Sequence, residues 1–285
     1  MIAAAPLALG LALASAPEPP PQASPTPIAV SLGGVRARVA CERARESAVF
    51  CRPTRLEIFR DETKLYEDRF EGVTSYLSAL PDRAPLAARD LDGDGETEIL
   101  LDLFSGGAHC CWSTRLYHLV GRSLRYDVLT HDWGNAGYRL EDPGGDGRTV
   151  FVGADDAFSY AFTSYAASRR PPRYWRYERG RLTDVTRRYP AAIEADAAEV
   201  WKVFEELAPS DSDGGQTRGL AAAYVADLCL LGRCGEGWRR LRAAYDKPDR
   251  EKFFRELSSL LQKNGYVLRR RYGAAGKTAP TPKSP

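Results

Sequence analysis

Five carboxylates fall within nine residues of the stretch RDLDGDGETEILL. With Asp90 as position 1, Asp92 stands at position 3, Asp94 at 5, Gly95 at 6, Glu96 at 7 and Glu98 at 9, a D-x-D-x-D-G-x-x-E calcium-loop pattern. Alternate carboxylates in a tight turn converge on one point, and a glycine at position 6 permits the turn. Five acids so close repel one another unless a cation joins them. Hard oxygen donors select Ca²⁺: Mg²⁺ resists the dehydration, and zinc looks for thiolate or imidazole. The candidate metal residues are Asp90, Asp92, Asp94, Glu96 and Glu98, with Glu96 expected to offer its backbone carbonyl rather than its side chain. Leu101 occupies position 12, where helix-flanked loops place a bidentate Glu, so Glu98 is expected to close the shell. The competing reading is a solvated acidic turn that holds no ion.

A few residues on, Ser105-Gly106-Gly107-Ala108-His109-Cys110-Cys111 offers a thiol beside an imidazole. Adjacent strand residues point to opposite faces, so His109 is badly placed to activate Cys110. His118 and His131 have no spacing that recommends them as the base. Zinc would need spaced ligand pairs that His109, Cys110 and Cys111 do not form. The six cysteines instead fall into three local couples, Cys41 with Cys51, Cys110 with Cys111 and Cys229 with Cys234, and local disulfides are the simplest expectation. A third candidate is residues 168–190, which carry eight arginines among aromatics. On a strand, Arg173, Trp175 and Tyr177 share a face that could grip an anionic glycan. The alternative is a solvated strand.

The rest of the chain must position these groups. Its 285 residues allow one or two domains, and a net charge of +2 gives no general attraction to nucleic acid. Residues 1–16 have the apolar run and the Ala14-Ser15-Ala16 site of a secretory signal, though no Lys or Arg precedes the run. Residues 17–29 read as a Pro-rich linker. Export would permit the disulfides. Residues 30–190 read as a β domain: alternation at Val35, Ala37, Val39 and Cys41, then Leu56 and Ile58, then the apolar run 98–104 and aromatic strands at 112–120 and 174–177. Residues 191–267 switch to a 3.6-residue period, with stripes at Val200, Val203, Phe204 and Leu207, at Leu220, Tyr224, Leu228 and Leu231, and at Phe253, Leu257 and Leu261. Four short-looped helices are expected there, and a disordered basic tail over 268–285.

Within the β domain one order of features recurs. DLDGDGETEIL aligns with DPGGDGRTVFV, and LYHLVGRSL with YWRYERGRL, which suggests duplicated β-units. The second turn keeps Asp142 and Asp146 but has Gly144 at position 3 and Val150 at position 9, so it reads as a relic that holds no ion.

RDLDGDGETEILL resembles the calcium loops of FG-GAP and VCBS-type repeats. That resemblance covers Asp90–Leu101, with an echo at 142–150, and implies a calcium-bearing β-unit suited to extracellular binding. SGGAHCC, Asp184-Val185-Thr186 and a helical C-terminus together resemble a group of secreted bacterial proteins, which implies export but no activity.

The sequence therefore predicts an α+β protein, with an antiparallel β domain of two degenerate units followed by a small helical bundle. It is read as secreted or periplasmic, calcium-binding and more in keeping with a non-catalytic role in binding or structure than with catalysis. A surface glycan or a protein is the expected kind of partner. The alternatives are a secreted hydrolase, or a polyanion-binding module working through 168–190.

Overall fold

The computed structural model describes residues 27–43, 51–78, 84–107, 110–121, 124–143, 145, 147–212 and 214–267. The expected signal (1–16), most of the expected linker, His109 and the basic tail lie outside the described residues. So do Gly144 and Asp146. The last residues assigned to the linker belong to a strand, because β1 is Ile28–Leu32.

Strands β1, β2 (Val35–Arg43), β3 (Cys51–Arg60), β4 (Thr63–Arg69), β5 (Tyr76–Leu77), β6 (Leu86–Arg89), β7 (Glu98–Gly107), β8 (Cys110–Leu119) and β9 (Tyr126–Gly134) form one sheet. Its order is β1-β2-β3-β5-β7-β8-β9, with β4 also on β3 and β6 also on β7. A second sheet runs β10 (Arg139–Glu141), β11 (Val150–Ala154), β12 (Pro172–Glu178), β13 (Arg181–Asp184). All of these pairs are antiparallel. The turn after Arg60 is made by Asp61 and Glu62, both with positive φ (46° and 66°), as a tight hairpin requires.

Strand β7 reads as a continuous apolar run because it is covered on both faces. Ile99, Leu101 and Leu103 join Val35, Val39, Leu56, Ile58 and Tyr117 in one core. Leu100 faces the other way, into a core with Leu91, Leu116, Trp133, Tyr138, Phe151 and Tyr177. That second core packs the two sheets together. The buried Asp102 sits at its edge, accepting hydrogen bonds from Thr114 Oγ1 (2.5 Å) and Tyr138 Oη (2.9 Å).

Four α-helices follow among the described residues: α1 (Pro190–Leu207), α2 (Thr217–Leu230), α3 (Cys234–Ala244) and α4 (Arg250–Lys263). Pro190 opens α1 at its first turn, where the missing N–H costs nothing. The buried stripe of α1 is Ile193, Ala197, Val200, Trp201 and Phe204, so the helix is rotated from the expectation that counted Val203 and Leu207. Helix α2 is buried almost all round, at the centre of the helical core. This α+β architecture is the one the sequence predicts.

The paired sulfurs are Cys41–Cys51, Cys110–Cys111 and Cys229–Cys234. The first pair ties β2 to β3, and the last ties the end of α2 to the start of α3. Cys110–Cys111 stands at the start of β8, where Cys111 N–H donates to Ser105 Oγ (2.6 Å) of β7. With every sulfur paired, no thiol remains for the nucleophile reading.

Candidate metal centre

The acidic loop connects β6 to β7. Asp90 is the residue after β6, and Glu98 is the first of β7, opposite Arg89. Between them the chain turns through Gly93 (φ 76°) and Gly95 (φ 88°), both in the left-handed region that favours glycine. Asp90 holds the turn: Oδ1 accepts from Gly93 N–H (2.8 Å) and Oδ2 from Gly95 N–H (3.1 Å).

The turn brings one carboxylate oxygen each from Asp90, Asp92 and Glu98 within 4.8 Å of one another. Asp94 and Glu96 are not in that group. Asp94 Oδ1 accepts from Glu96 N–H (2.8 Å), and Glu96 pairs through its carboxylate with Arg60. Glu96 therefore keeps its side chain away from the loop centre, as expected of position 7.

Glu98 is the unusual member, only 3% exposed. One of its oxygens accepts from Leu91 N–H (2.9 Å). Burial pushes its pKa up to about 8; the Leu91 bond opposes that shift, and the charges of Asp92, Asp94 and Asp90 add to it. A carboxyl in this setting requires either a proton or a cation. Asp92 shows the same want: its Oδ1 is buried with no hydrogen-bond donor. Three converging hard oxygens, one of them orphaned, fit a calcium ion. Asp90, Asp92 and Glu98 would hold it.

The second unit closes over this loop. Arg179 N–H, in the β12–β13 turn, donates to Asp92 Oδ2 (2.9 Å), and Thr149 N–H donates to Leu91 O (3.3 Å). Gly180 in the same turn lies so close to His118 of β8 that a side chain there would collide with the imidazole (2.6 Å). The loop is thus the seam between the two sheets.

The face Arg173–Trp175–Tyr177 is placed differently from the sequence expectation. All three do share one side of β12, but that side turns inward. Tyr177 is buried in the inter-sheet core, and Trp175 packs against it. Arg173 is committed to Asp155 (2.8 Å) and Asp184 (2.9 Å), and its guanidinium lies over the Tyr266 ring. Two aromatics on one strand face were a signal of burial, and that signal was available in the sequence.

His131 lines a separate cleft of about 360 Å³ with Asp132, Asp155, Asp156 and Trp175. Its ring packs against both Trp133 and Trp175, and desolvation holds its pKa below the ordinary value. Asp155 is taken by Arg173 and Tyr266, and Asp156 by Asn135 and Ser159. The described lining residues include no hydroxyl, thiol or amine nucleophile.

Two further features were not read from the sequence. Asp227, on α2, is fully buried with no donor to either oxygen, and its pKa is raised by desolvation and by Asp196. Arg148, Arg176, Arg179 and Arg181 line a cleft beside the acidic loop.

A model of the sll0997 C-terminal domain matches residues 193–265, which is the helical part of the chain. Across 168 residues the chain is 30% identical to the "Probable thylakoid lumen protein sll0997" of Synechocystis sp., covering 58% of this chain and 49% of that protein. Across 153 residues it is 28% identical to "Uncharacterized protein y4bJ" of Sinorhizobium fredii, covering 53% of this chain and 24% of the relative. The chain thus spans about half the length of the first relative and about a quarter of the second. No solved structure matches. No FG-GAP or VCBS-type family is among these matches, so the likeness rests on the loop residues alone. No helix among the described residues is long and apolar enough to cross a membrane.

Proposed function

We propose that this chain is an exported calcium-binding protein in which the ion, held by Asp90, Asp92 and Glu98, fastens two β-units to each other. Its role is non-catalytic: it serves as a binding or structural component of the cell surface or envelope. One observation carries the reading. A carboxylate buried to 3% exposure converges with two others, at a strand position where the sister unit buries Val150. Evolution of a β-unit has no packing reason to prefer Glu to Val at such a place, whereas a cation supplies one.

Export is supported by the lumenal name of the Synechocystis relative, by three cysteine pairs and by the signal-like N-terminus. Outside the cytoplasm calcium is abundant, and a dissociation constant of about 10⁻⁴–10⁻³ M suffices.

The test is equilibrium dialysis of chelator-stripped protein against calcium. The reading expects one bound ion per chain at a few millimolar calcium or below, and a loss of that ion in Asp92→Ala. A wild-type chain that takes up none contradicts it.

A further inference from the structure

Beside the acidic loop lies a cleft of about 630 Å³, into which Asp92 and Asp94 face from one side and Arg148, Arg176, Arg179 and Arg181 from the other. Arg148 comes from the turn of the second unit, Arg176 from β12, Arg179 from the β12–β13 turn and Arg181 from the start of β13. Arg179 and Arg181 are exposed, and neither has a carboxylate partner among the described residues. Arg176 spends one Nη on Tyr189 Oη (3.2 Å), and its Nε is buried without a partner. Arg38, Arg115, Arg169, Arg173, Arg218 and Arg233 have carboxylate partners. Arg176, Arg179 and Arg181 have none among the described residues and are gathered at one concave surface.

The acidic loop supplies the other half of the site. Three protein carboxylates, with the Glu96 carbonyl expected at position 7, leave room for further oxygens among the 6–8 that calcium takes. Leu101, where a closing Glu would stand in longer loops, is buried in the core and cannot help. Asp92 belongs both to the carboxylate group and to the cleft lining, so the two sites adjoin. We infer that the cleft binds an oxyanion-bearing ligand, such as a carboxylated or sulfated glycan, with one anionic group completing the calcium shell and others paired with Arg176, Arg179 and Arg181. This inference rests on the calcium reading above.

The physical chemistry makes the two bindings interdependent. Without the ion, Asp92, Asp94 and Glu178 oppose an anion entering the cleft. With the ion bound, its charge inverts the local field, and guanidinium forks, which suit carboxylate and sulfate geometry, add directional bonds. Coupling is reciprocal, so the anion also tightens calcium. The cleft lining holds no aromatic side chain, so sugar stacking is not part of the recognition. Charge and oxygen geometry carry it, through the opposite side of the strand from Arg173, Trp175 and Tyr177.

Fluorescence anisotropy with two labelled probes tests this: tri-galacturonate, which offers carboxylates, and inositol hexasulfate, which offers sulfates. Each is titrated in physiological salt with saturating calcium and with chelator. The inference expects at least one probe to bind about tenfold or more tightly with calcium, the scale of ordinary site-to-site coupling. It expects Arg179→Gln/Arg181→Gln to remove that gain while keeping calcium uptake by dialysis, which shows that the exposed substitutions leave the loop folded. Preference for the first probe identifies a carboxylated ligand, and preference for the second a sulfated one. If calcium is taken up but neither probe responds to it, or the double variant binds as wild type does, the inference falls and the calcium site stands. If no calcium is taken up, both fall.

Discussion

The turns that open at Asp90 and at Asp142 share their described hydrogen bonding and register and differ in their contents. Asp90 Oδ2 accepts from the N–H five residues on, at Gly95; Asp142 Oδ2 accepts from Gly147 (2.9 Å). Gly93 and Gly95 have positive φ, and so do Gly145 and Gly147. The residue before each Asp pairs with position 9, Arg89 with Glu98 and Glu141 with Val150. The next strand joins in the same register, Ile99 with Tyr117 and Phe151 with Trp175. Position 9 is buried in both units, at 3% exposure for Glu98 and 1% for Val150. The backbone therefore does not need an ion to make this turn. What distinguishes the first unit is a buried carboxylate at the position where the second has an apolar side chain, and a buried carboxylate demands a counter-charge.

Exchanging the two contents gives the largest effect. Val150→Glu places a carboxylate in an apolar core without the partners at position 3, and should cost about 3 kcal/mol or more in a denaturant melt. Added calcium should not restore it. A full recovery with calcium would mean that the second turn is a working site.

Next in size is the removal of one ligand from the first turn. Asp92→Ala should remove the ion's contribution, about 2.7 kcal/mol when calcium stands at 100 times its dissociation constant. In chelator the variant and wild type should differ little. Equal loss in both conditions would assign Asp92 to the seam with Arg179 rather than to the ion.

A pH titration of the metal-free protein comes third. Glu98 binds its proton more tightly folded, with a pKa of about 8, than unfolded, near 4.5. The folded state then holds more protons between those values, so stability falls as pH rises from about 5 to about 8, by at most about 5 kcal/mol. Glu98→Gln should flatten that slope, and saturating calcium should too, because the ion takes the proton's place. A wild-type slope of the opposite sign in chelator would contradict the burial argument.

The smallest effect belongs to Arg60→Gln. Its pair with Glu96 is partly exposed on both sides, and such pairs contribute roughly 0–1 kcal/mol. Calcium affinity should stay within about twofold, because Glu96 points away from the other carboxylates. A large drop would return Glu96 to the ligand set.

Much of this comparison was legible in the sequence. The D-x-D-x-D-G spacing located the turn, its degenerate echo located the second unit, and the change from a two-residue to a 3.6-residue period located the helices. Convergence was harder to read. Five acids were in range of a centre, and backbone direction decided that Asp90, Asp92 and Glu98 meet there while Arg60 draws Glu96 aside. Alternation along β12 said which side chains share a face, but covering a face is a tertiary event. The sheet-on-sheet packing that buries Tyr177 turned Arg176 outward, towards the loop. Asp227 was hidden for a related reason: its helix is buried all round, so no polar face marked it as out of place.

The claim that an ion is needed because Glu98 is buried can be tested in one set of melts, wild type and Glu98→Val, each in calcium and in chelator. The account predicts that wild type gains about 5–10 °C on adding saturating calcium. It predicts that Glu98→Val, which copies Val150 of the sister unit, melts above chelated wild type and does not respond to calcium. A wild-type melting temperature indifferent to calcium, or a Glu98→Val protein that still responds to it, would contradict the account.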